Sequence, residues 1–296
     1  MSARRAAATV LLGGAALLGY AALLEPRWLQ LRRSRIHLRR LPPDLEGLRI
    51  ALLTDLHVGE YARASLVRRA VRMAMAERPH LVAVAGDLAA DPGSLRETLT
   101  ELSALSAPLG VFIVPGNHDY GDIGIEHWRA AVGEHPGLCD LTNRWTMRLV
   151  GAARLCVAGV DDYAEGSPRV ALPPPDQRDL TVLLAHNPDQ AERCRRRWDD
   201  IDLIVSGHTH AGQVRLPLLG ALVSSAEHPE LYEEGVRRRP WTQVYTSRGI
   251  GTTGLPFRFL ARPEVALLEL TGAPRPPLQL REEHGGVGAG RAPNSP

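Results

Sequence analysis

Residues 202–210 read Asp-Leu-Ile-Val-Ser-Gly-His-Thr-His, an apolar run that ends in a glycine and two histidines. A short apolar run bounded in this way predicts a buried strand. Two other runs end similarly, because residues 51–54 lead into Asp55-Leu56-His57 and residues 81–85 lead into Gly86-Asp87. A strand that ends in a carboxylate or an imidazole delivers that side chain to one edge of a sheet. Several such strands predict a cluster of ligands at that edge.

Two further blocks carry the same chemistry. Gly116-Asn117-His118-Asp119 follows the short apolar run 111–114, and His186-Asn187 follows the run 180–185. One block alone is weak evidence, since an Asp and a His two residues apart often occur by chance. The five blocks together hold five of the 11 histidines of the chain. Their aspartates, asparagine and imidazoles are ligand types that suit Mn, Fe, Zn or Mg. The set therefore predicts a centre with two divalent ions, about 3.5–4 Å apart, that acidify water and clamp a phosphate.

The order of the elements predicts an α/β fold. Strands alternate with helices from residue 48, as in residues 66–77, where an apolar face repeats at helical spacing. Ser94-Leu95-Arg96-Glu97 has the pattern of a capping box at the start of another helix. The second half is richer in strands. Early βαβ units followed by such a half predict two facing sheets with helices outside, a four-layer α-β-β-α sandwich.

Composition excludes several classes of function. The net charge of +2 is too balanced to indicate nucleic acid, and the catalytic part lacks a basic stretch interleaved with aromatic residues, so a nucleic-acid partner is not expected. The three cysteines have no paired spacing, which argues against a disulfide framework. Nothing in the sequence indicates an obligate protein partner.

The N-terminus predicts a membrane anchor. Residues 6–24 are uncharged and close to the ~20 residues that a spanning helix needs. A cleaved signal peptide with its site at Gly19-Tyr20-Ala21 and a buried core helix are the alternatives. The arginines of residues 27–40 favour a cytoplasmic domain by the positive-inside rule, whereas Arg4-Arg5 would favour export, so the side of the membrane stays open.

The predicted organisation has four parts. Residues 1–26 form the single-pass anchor, which places the protein at the cell membrane, and residues 27–47 form a basic linker with a candidate edge strand at 35–40. Residues 48–271 form the domain that carries the five blocks. Residues 272–296 form a disordered tail rich in Gly and Pro.

The five blocks, in this order, resemble the signature of the calcineurin-like metallophosphoesterase superfamily over about residues 48–270. Within it, the segments 207–217 and 247–258 resemble the membrane-anchored bacterial subgroup typified by YkuE and YaeI. The chain departs from that pattern at Ala211, where glycine is frequent, and at Leu88-Ala89-Ala90, which lacks the acid that often follows the bridging aspartate. Neither departure removes a ligand.

The resemblance implies a role for each candidate residue. Asp55, His57 and His210 would hold one ion, Asn117, His186 and His208 would hold the other, and Asp87 would bridge them. His118 would contact the phosphate and protonate the leaving oxygen, with Asp119 orienting His118 or a ligand. Arg248 would meet a phosphate oxygen, with a structural role as its alternative. The two ions would be manganese, with Zn, Fe or Mg as alternatives.

The expected activity is hydrolysis of a phosphodiester or pyrophosphate by a hydroxide that the metal pair activates. The expected substrate is a phosphorylated small molecule or lipid, lipid-linked or nucleotide-linked, such as UDP-2,3-diacylglucosamine. A broad phosphomonoesterase or a cyclic-nucleotide phosphodiesterase is the alternative. A non-catalytic scaffold is disfavoured because no ligand of the set is missing.

Overall fold

Two six-stranded mixed sheets build the fold in the computed structural model, which describes residues 3–196 and 200–272. The strands are, in chain order, β1 (Gln30–Leu38), β2 (Arg49–Leu53), β3 (Leu81–Ala85), β4 (Val111–Val114), β5 (Cys139–Asp140), β6 (Arg144–Val150), β7 (Ala153–Gly159), β8 (Leu180–Leu184), β9 (Leu203–Ser206), β10 (Arg215–Leu216), β11 (Gly220–Ala221), β12 (Gly235–Arg238), β13 (Gln243–Thr246) and β14 (Glu264–Gly272). The α-helices are α1 (Ala3–Gly19), α2 (Ala64–Ala76), α3 (Pro92–Leu102), α4 (Ile125–Gly133), α5 (Gln190–Arg193) and α6 (Pro229–Tyr232).

The first sheet has the order β1-β14-β2-β3-β4-β5, and the second has the order β12-β13-β9-β8-β7-β6. Strands β2 to β5 are mutually parallel, and so are β7, β8, β9 and β13. The carboxyl ends of parallel neighbours lie at the same edge of a sheet. Both sheets therefore have an edge at which several strand ends, and the loops after them, gather.

Side chains alternate between the two faces of each strand, and this alternation divides the core into layers. In β2, Ile50 and Leu52 face the second sheet and pack in one buried cluster with Leu155 and Val182. Ala51 and Leu53 point the other way, into a cluster that holds the apolar faces of α2, α3 and α4. A third cluster joins the outer face of the second sheet to the short helices α5 and α6. The predicted α/β fold is confirmed, and its order is helix, sheet, sheet, helix.

Helix α3 begins before the predicted capping box. Its N-cap is Asp91, whose Oδ1 accepts hydrogen bonds from the backbone N–H groups of Gly93 (2.8 Å) and Ser94 (3.0 Å). Pro92 occupies the first helical turn, where the missing N–H costs nothing. The Asp-Pro pair therefore starts the helix, and Ser94 already lies inside it. The capping box at Ser94 was wrong by three residues for this reason.

The expected spanning helix is not supported. Helix α1 has 17 residues, fewer than the ~20 that a bilayer needs. The chain continues after it as a wider π-helical turn, Tyr20–Leu24, and a 3₁₀ turn, Glu25–Arg27. Across residues 3–196 and 200–272, no helix combines the length and the apolar character that crossing a membrane requires.

The segment 27–47 contributes a full strand. β1 is longer than the candidate strand at 35–40 and pairs in parallel with all nine residues of β14 at the edge of the first sheet. The C-terminal strand thus lies between β1 and β2, which no local pattern could show. The predicted disordered tail lies, apart from Gly272, outside the described residues.

Candidate metal centre

All five blocks come together where the two sheets meet. Three of them follow β2, β3 and β4, which are neighbours in the first sheet. The other two follow β8 and β9, which are neighbours in the second sheet. Backbone hydrogen bonds join the loops directly, since the N–H of Asp55 donates to Gly86 (3.0 Å) and the N–H of Gly207 donates to His186 (2.9 Å). The loops form one buried cluster.

Asp55, His57 and His210 form the first group of donors. The Nε2 atoms of His57 and His210 lie 3.2 Å apart, and His210 Nε2 lies 3.4 Å from Asp55 Oδ1. All three side chains are buried, and their ligand atoms lie within 4.8 Å of one another.

Asn117, His186 and His208 form the second group. His186 Nε2 lies 3.2 Å from Asn117 Oδ1 and 3.2 Å from His208 Nδ1. The Nδ1 atom of His186 faces the carbonyl oxygen of Ala85 at 2.7 Å, which orients the ring so that Nε2 points into the cluster.

Asp87 lies between the two groups. Its Oδ2 atom is 3.5 Å from His57 Nε2 in the first group and 3.2 Å from His186 Nε2 in the second. Its Oδ1 atom accepts a hydrogen bond from the backbone N–H of His118 at 2.9 Å. Asp87 Oδ2 thus lies within 3.5 Å of a ligand nitrogen from each group, which is the position a bridging ligand requires.

The donor set fits divalent ions. Two ligands that each lie about 2.1 Å from one ion are separated by ~3.0–3.4 Å at octahedral or tetrahedral angles. The separations of 3.2–3.4 Å within the first group and of 3.2 Å within the second match that range. Two of these contacts, His57–His210 and His186–His208, join imidazole nitrogens, which attract each other only if one carries a proton. Convergence of the nitrogens on a shared cation explains both the separations and the close approach of imidazole nitrogens.

Burial favours the neutral, metal-binding form of three of the four ligand imidazoles. Burial lowers the pKa of His57 and of His208 to about 4, and burial together with His57 and Arg258 lowers the pKa of His210 well below its ordinary value. At His186 burial alone would also lower the pKa, but Asp87 and Asp55 raise it well above its ordinary value. Burial alone would raise the pKa of Asp87, but the facing His186 holds it well below its ordinary value. A neutral imidazole and a charged carboxylate are the forms that a metal needs.

The backbone is strained where the ligands sit. Positive φ values occur at five of the candidate ligands: Asp55 (53°), His57 (43°), Asp87 (56°), His208 (71°) and His210 (52°). Residues with a Cβ rarely adopt this conformation, and each instance costs about 1–3 kcal/mol. Such strain clusters at functional sites because the surrounding structure holds the side chains in a productive arrangement.

Two glycines allow the loops to approach. A Cβ at Gly116 would lie 2.3 Å from Asp87 Oδ1, and a Cβ at Gly207 would lie 2.2 Å from Asp55 Oδ2. Any other residue at either position would displace a carboxylate of the cluster.

His118 belongs to neither group of three, although a ring nitrogen of His118 lies within 4.8 Å of the ligand atoms of His57 and Asp87. Its ring packs edge-on against that of His57, with 4.8 Å between the ring centroids, and it lines the open cleft. Its Nδ1 atom contacts Asp122 Oδ2 at 2.7 Å. Burial alone would lower the pKa of His118, but Asp87 and Asp122 raise it overall.

Asp119 does not contact the His118 ring. Its carboxylate accepts hydrogen bonds from the backbone N–H groups of Asp87 (2.8 Å), Leu88 (3.0 Å) and Gly116 (2.8 Å). It therefore braces two ligand loops against each other. The carboxylate that orients His118 comes from Asp122, which sequence reasoning missed.

Arg248 does not line the cleft. Its Nε atom is paired with Glu234 and lies 3.8 Å from Glu264 Oε2, so its charge is satisfied inside the protein. This contact pattern favours the structural alternative for Arg248. The fully buried Arg258 is the arginine nearer the centre, because its Nη2 lies 3.0 Å from His210 Nδ1.

An open cleft of about 480 Å³ leads to the donors. Its lining combines site residues with an apolar wall: Asp87, Asn117, His118, His208, Thr209, His210, Gly212, Gln213, Val214, Leu222, Val223, Ser225, Thr253, Gly254 and Leu255. A ligand in this cleft would contact His118 and the metal donors together.

A mixed α/β sandwich with Asp, Asn and His side chains gathered where strand ends of both sheets meet is the arrangement of a metal-dependent hydrolase of phosphoesters. The model of the family described as calcineurin-like phosphoesterase matches residues 48–212, and the chain belongs to that family.

Curated relatives agree with this assignment. The chain is 28% identical over 257 residues to the uncharacterized metallophosphoesterase YkuE of Bacillus subtilis, covering 85% of this chain and 89% of that protein. It is 31% identical over 258 residues to the phosphodiesterase YaeI of Escherichia coli, covering 85% and 92%. It is 32% identical over 254 residues to a bovine protein named transmembrane protein with metallophosphoesterase domain, covering 81% of this chain and 56% of that protein.

Proposed function

We propose that this metallophosphoesterase hydrolyses phosphodiester or pyrophosphate bonds with two divalent ions. Asp55, His57 and His210 would hold one ion, Asn117, His186 and His208 would hold the other, and Asp87 would be shared between them. The observation that carries the proposal is the position of Asp87 Oδ2, within 3.5 Å of a nitrogen from each group. When bound, the ion pair supplies an acidified water as nucleophile and a clamp for the phosphate.

The residues of the chain perform the remaining tasks. His118 lines the cleft and is held by Asp122, so we assign it the proton that the leaving oxygen takes up. Its raised pKa keeps it protonated at a higher pH than an ordinary histidine. Asp119 fixes the loops of Asp87 and Gly116, and thereby the spacing of the ligands. Arg258 and burial keep His210 neutral.

Manganese is the metal that we propose, since carboxylate, amide and imidazole ligands together suit it. The apolar wall of the cleft and the uncharged residues 6–24 support a substrate that carries a lipid, such as UDP-2,3-diacylglucosamine, and a site of action at a membrane. The name of the bovine relative supports the same location.

The test uses the full chain and bis-p-nitrophenyl phosphate. Chelation with EDTA should abolish turnover, and manganese should restore it more fully than Zn, Fe or Mg. Asp87→Asn should likewise lose turnover. Asp179→Asn is its matched control, because Asp179 pairs with Arg154 away from the cleft. Turnover that persists in a sample shown by elemental analysis to be metal-free would refute the two-metal proposal. Parallel assays with UDP-2,3-diacylglucosamine, p-nitrophenyl phosphate and cyclic AMP would then separate the substrate classes.

A further inference from the structure

Exposed leucines and a valine surround the mouth of the cleft. We define the apolar rim as Leu216, Leu218, Leu219, Leu222, Val223 and Leu255, all of which are exposed. Leu218 is fully exposed, at the tip of the hairpin formed by β10 and β11, and its φ of 67° is unfavourable for a side chain with a Cβ. Exposed apolar patches of this kind mark sites of interaction with membranes or other proteins.

Some residues of the apolar rim also line the cleft. Leu222, Val223 and Leu255 line the cleft together with His118 and His208. The hairpin that carries Leu218 leaves the cleft wall at Val214 and returns to it at Leu222, whose N–H donates to the carbonyl of Val214 at 3.1 Å. Whatever covers the rim therefore lies directly beside the metal centre.

The rim is also joined to the apolar N-terminal segment. The N–H of Arg215 donates to Phe259 O at 2.9 Å, and the N–H of Arg258 donates to Ala21 O at 3.0 Å. The rings of Tyr20 and Phe259 pack edge to face, with 6.3 Å between their centroids. Leu23 and Leu24 are exposed next to this junction. These contacts place the apolar N-terminal segment and the segment 258–259 next to the start of the β10–β11 hairpin.

The residues bordering this side are those of a membrane interface. Trp28 is half exposed, and the guanidinium of Arg262 stacks on its ring at 4.0 Å. Tyr61 is exposed beside the rim, with its hydroxyl 3.4 Å from Gly254 O. Trp and Tyr concentrate where a bilayer meets water, and arginine binds anionic headgroups there. These bordering residues favour a lipid surface, rather than a second protein, as the partner that covers the apolar rim.

We propose that the apolar rim lies on a lipid bilayer, with the tip of the β10–β11 hairpin inserted among the acyl chains. The cleft then opens at the boundary between lipid and water. A phosphoester linked to a lipid can reach the metal centre while its acyl part stays in the bilayer. This last step rests on the proposed function, whereas the contact between rim and bilayer does not.

The decisive experiment reports the position of the hairpin tip directly. The full-length Leu218→Trp variant is mixed with vesicles of phosphatidylcholine and phosphatidylglycerol whose acyl chains carry bromine, which quenches tryptophan. The added fluorescence, relative to the wild type, should be quenched by half or more. Leu149→Trp is the matched control, because Leu149 is also an exposed leucine but lies on β6, away from the cleft. Its added fluorescence should be unaffected.

A second variant tests how much the leucines at the hairpin tip contribute to the affinity for vesicles. Leu218→Asp with Leu219→Asp should lower vesicle affinity about tenfold or more, since two leucines no longer leave water, while Leu149→Asp should not. Hydrolysis of bis-p-nitrophenyl phosphate without vesicles should be unchanged in both. An unquenched Leu218→Trp on vesicle-bound protein would overturn the proposal. The proposal would also be overturned if ultracentrifugation showed that the wild type self-associates and that the double variant does not, because the rim would then bind a second copy of the chain. Quenching without any metal-dependent hydrolysis would instead refute only the proposed function.

Discussion

The two sheets bring chemically different halves to the metal centre. The first sheet supplies Asp55, Asp87 and Asn117 together with His57, whereas the second supplies only imidazoles, from His186, His208 and His210. The oxygen-rich half carries the negative charge that attracts cations. The imidazole half adds ligands without adding charge, so that bound ions stay electrophilic. The centre therefore depends on the packing of one sheet on the other.

Asp87→Asn should have the largest effect, because Asp87 Oδ2 lies within 3.5 Å of a ligand nitrogen from each of the two groups. We expect the rate of bis-p-nitrophenyl phosphate hydrolysis to fall on the order of a thousandfold or more, with both ions bound more weakly. His208→Ala removes a donor from the imidazole half only, and should leave one ion bound. Elemental analysis of the two purified variants distinguishes these outcomes. Equal metal content in both would contradict the bridging role of Asp87.

His118→Gln should have the next largest effect. The side chain lines the cleft beside the first half but belongs to neither group of donors. Loss of a general acid typically lowers turnover 10²–10⁴-fold. Metal content should equal that of the wild type in elemental analysis. A variant that lost metal would show that His118 is a ligand.

Asp122→Asn should have a smaller effect, about tenfold on turnover. The carboxylate of Asp122 raises the pKa of His118. An acid works only below its pKa, so the wild-type rate should fall as pH rises through that raised value. Without the carboxylate the pKa drops, and the fall should begin at lower pH.

The pH profile of kcat measures that shift. Asp119→Asn is an informative contrast, since Asp119 braces the loops through backbone N–H groups. It should lower metal content and thermal stability rather than move the profile. A profile that moves in Asp119→Asn and stays in place in Asp122→Asn would reverse the two assignments.

Asp91→Ala should have the smallest effect, on stability alone. Asp91 caps α3, which packs on the outer face of the first sheet, away from the donors. Loss of such a cap costs about 1 kcal/mol, or roughly 2–4 °C in Tm for a domain of this size. Ser94→Ala is the matched control and should cost less. Calorimetry measures both, and the turnover of each variant should match that of the wild type.

Much of the secondary structure could be predicted because its signals are local. Leu81-Val82-Ala83-Val84-Ala85 was expected to be a strand and is one, since a five-residue apolar run fits a buried strand. The helix expected at 66–77 spans Ala64–Ala76, because apolar residues at helical spacing mark its buried face. The chemistry of the donors could also be predicted, since Asp, Asn and His follow strand ends in all five blocks.

The misses have different causes. The parallel pairing of β1 with β14 joins residues more than 200 positions apart, and no periodicity encodes it. Asp122 could not be assigned to His118 without the turn at Asp119–Ile123, which brings its carboxylate to the ring. The N-terminal helix was expected to reach the length of a membrane span, but it ends at Gly19.

The sequence by itself determined the kinds of side chain at the centre and the strands that carry them, because residue type and hydrophobic periodicity are properties of short segments. Only the tertiary structure decided which side chains meet. The order of the strands places three ligand loops on one sheet and two on the other, and the buried cluster between the sheets holds the loops in contact. Packing also decided that Asp87 lies between the two groups of donors, since its distance to His186, which follows a strand of the second sheet, depends on how the sheets stack.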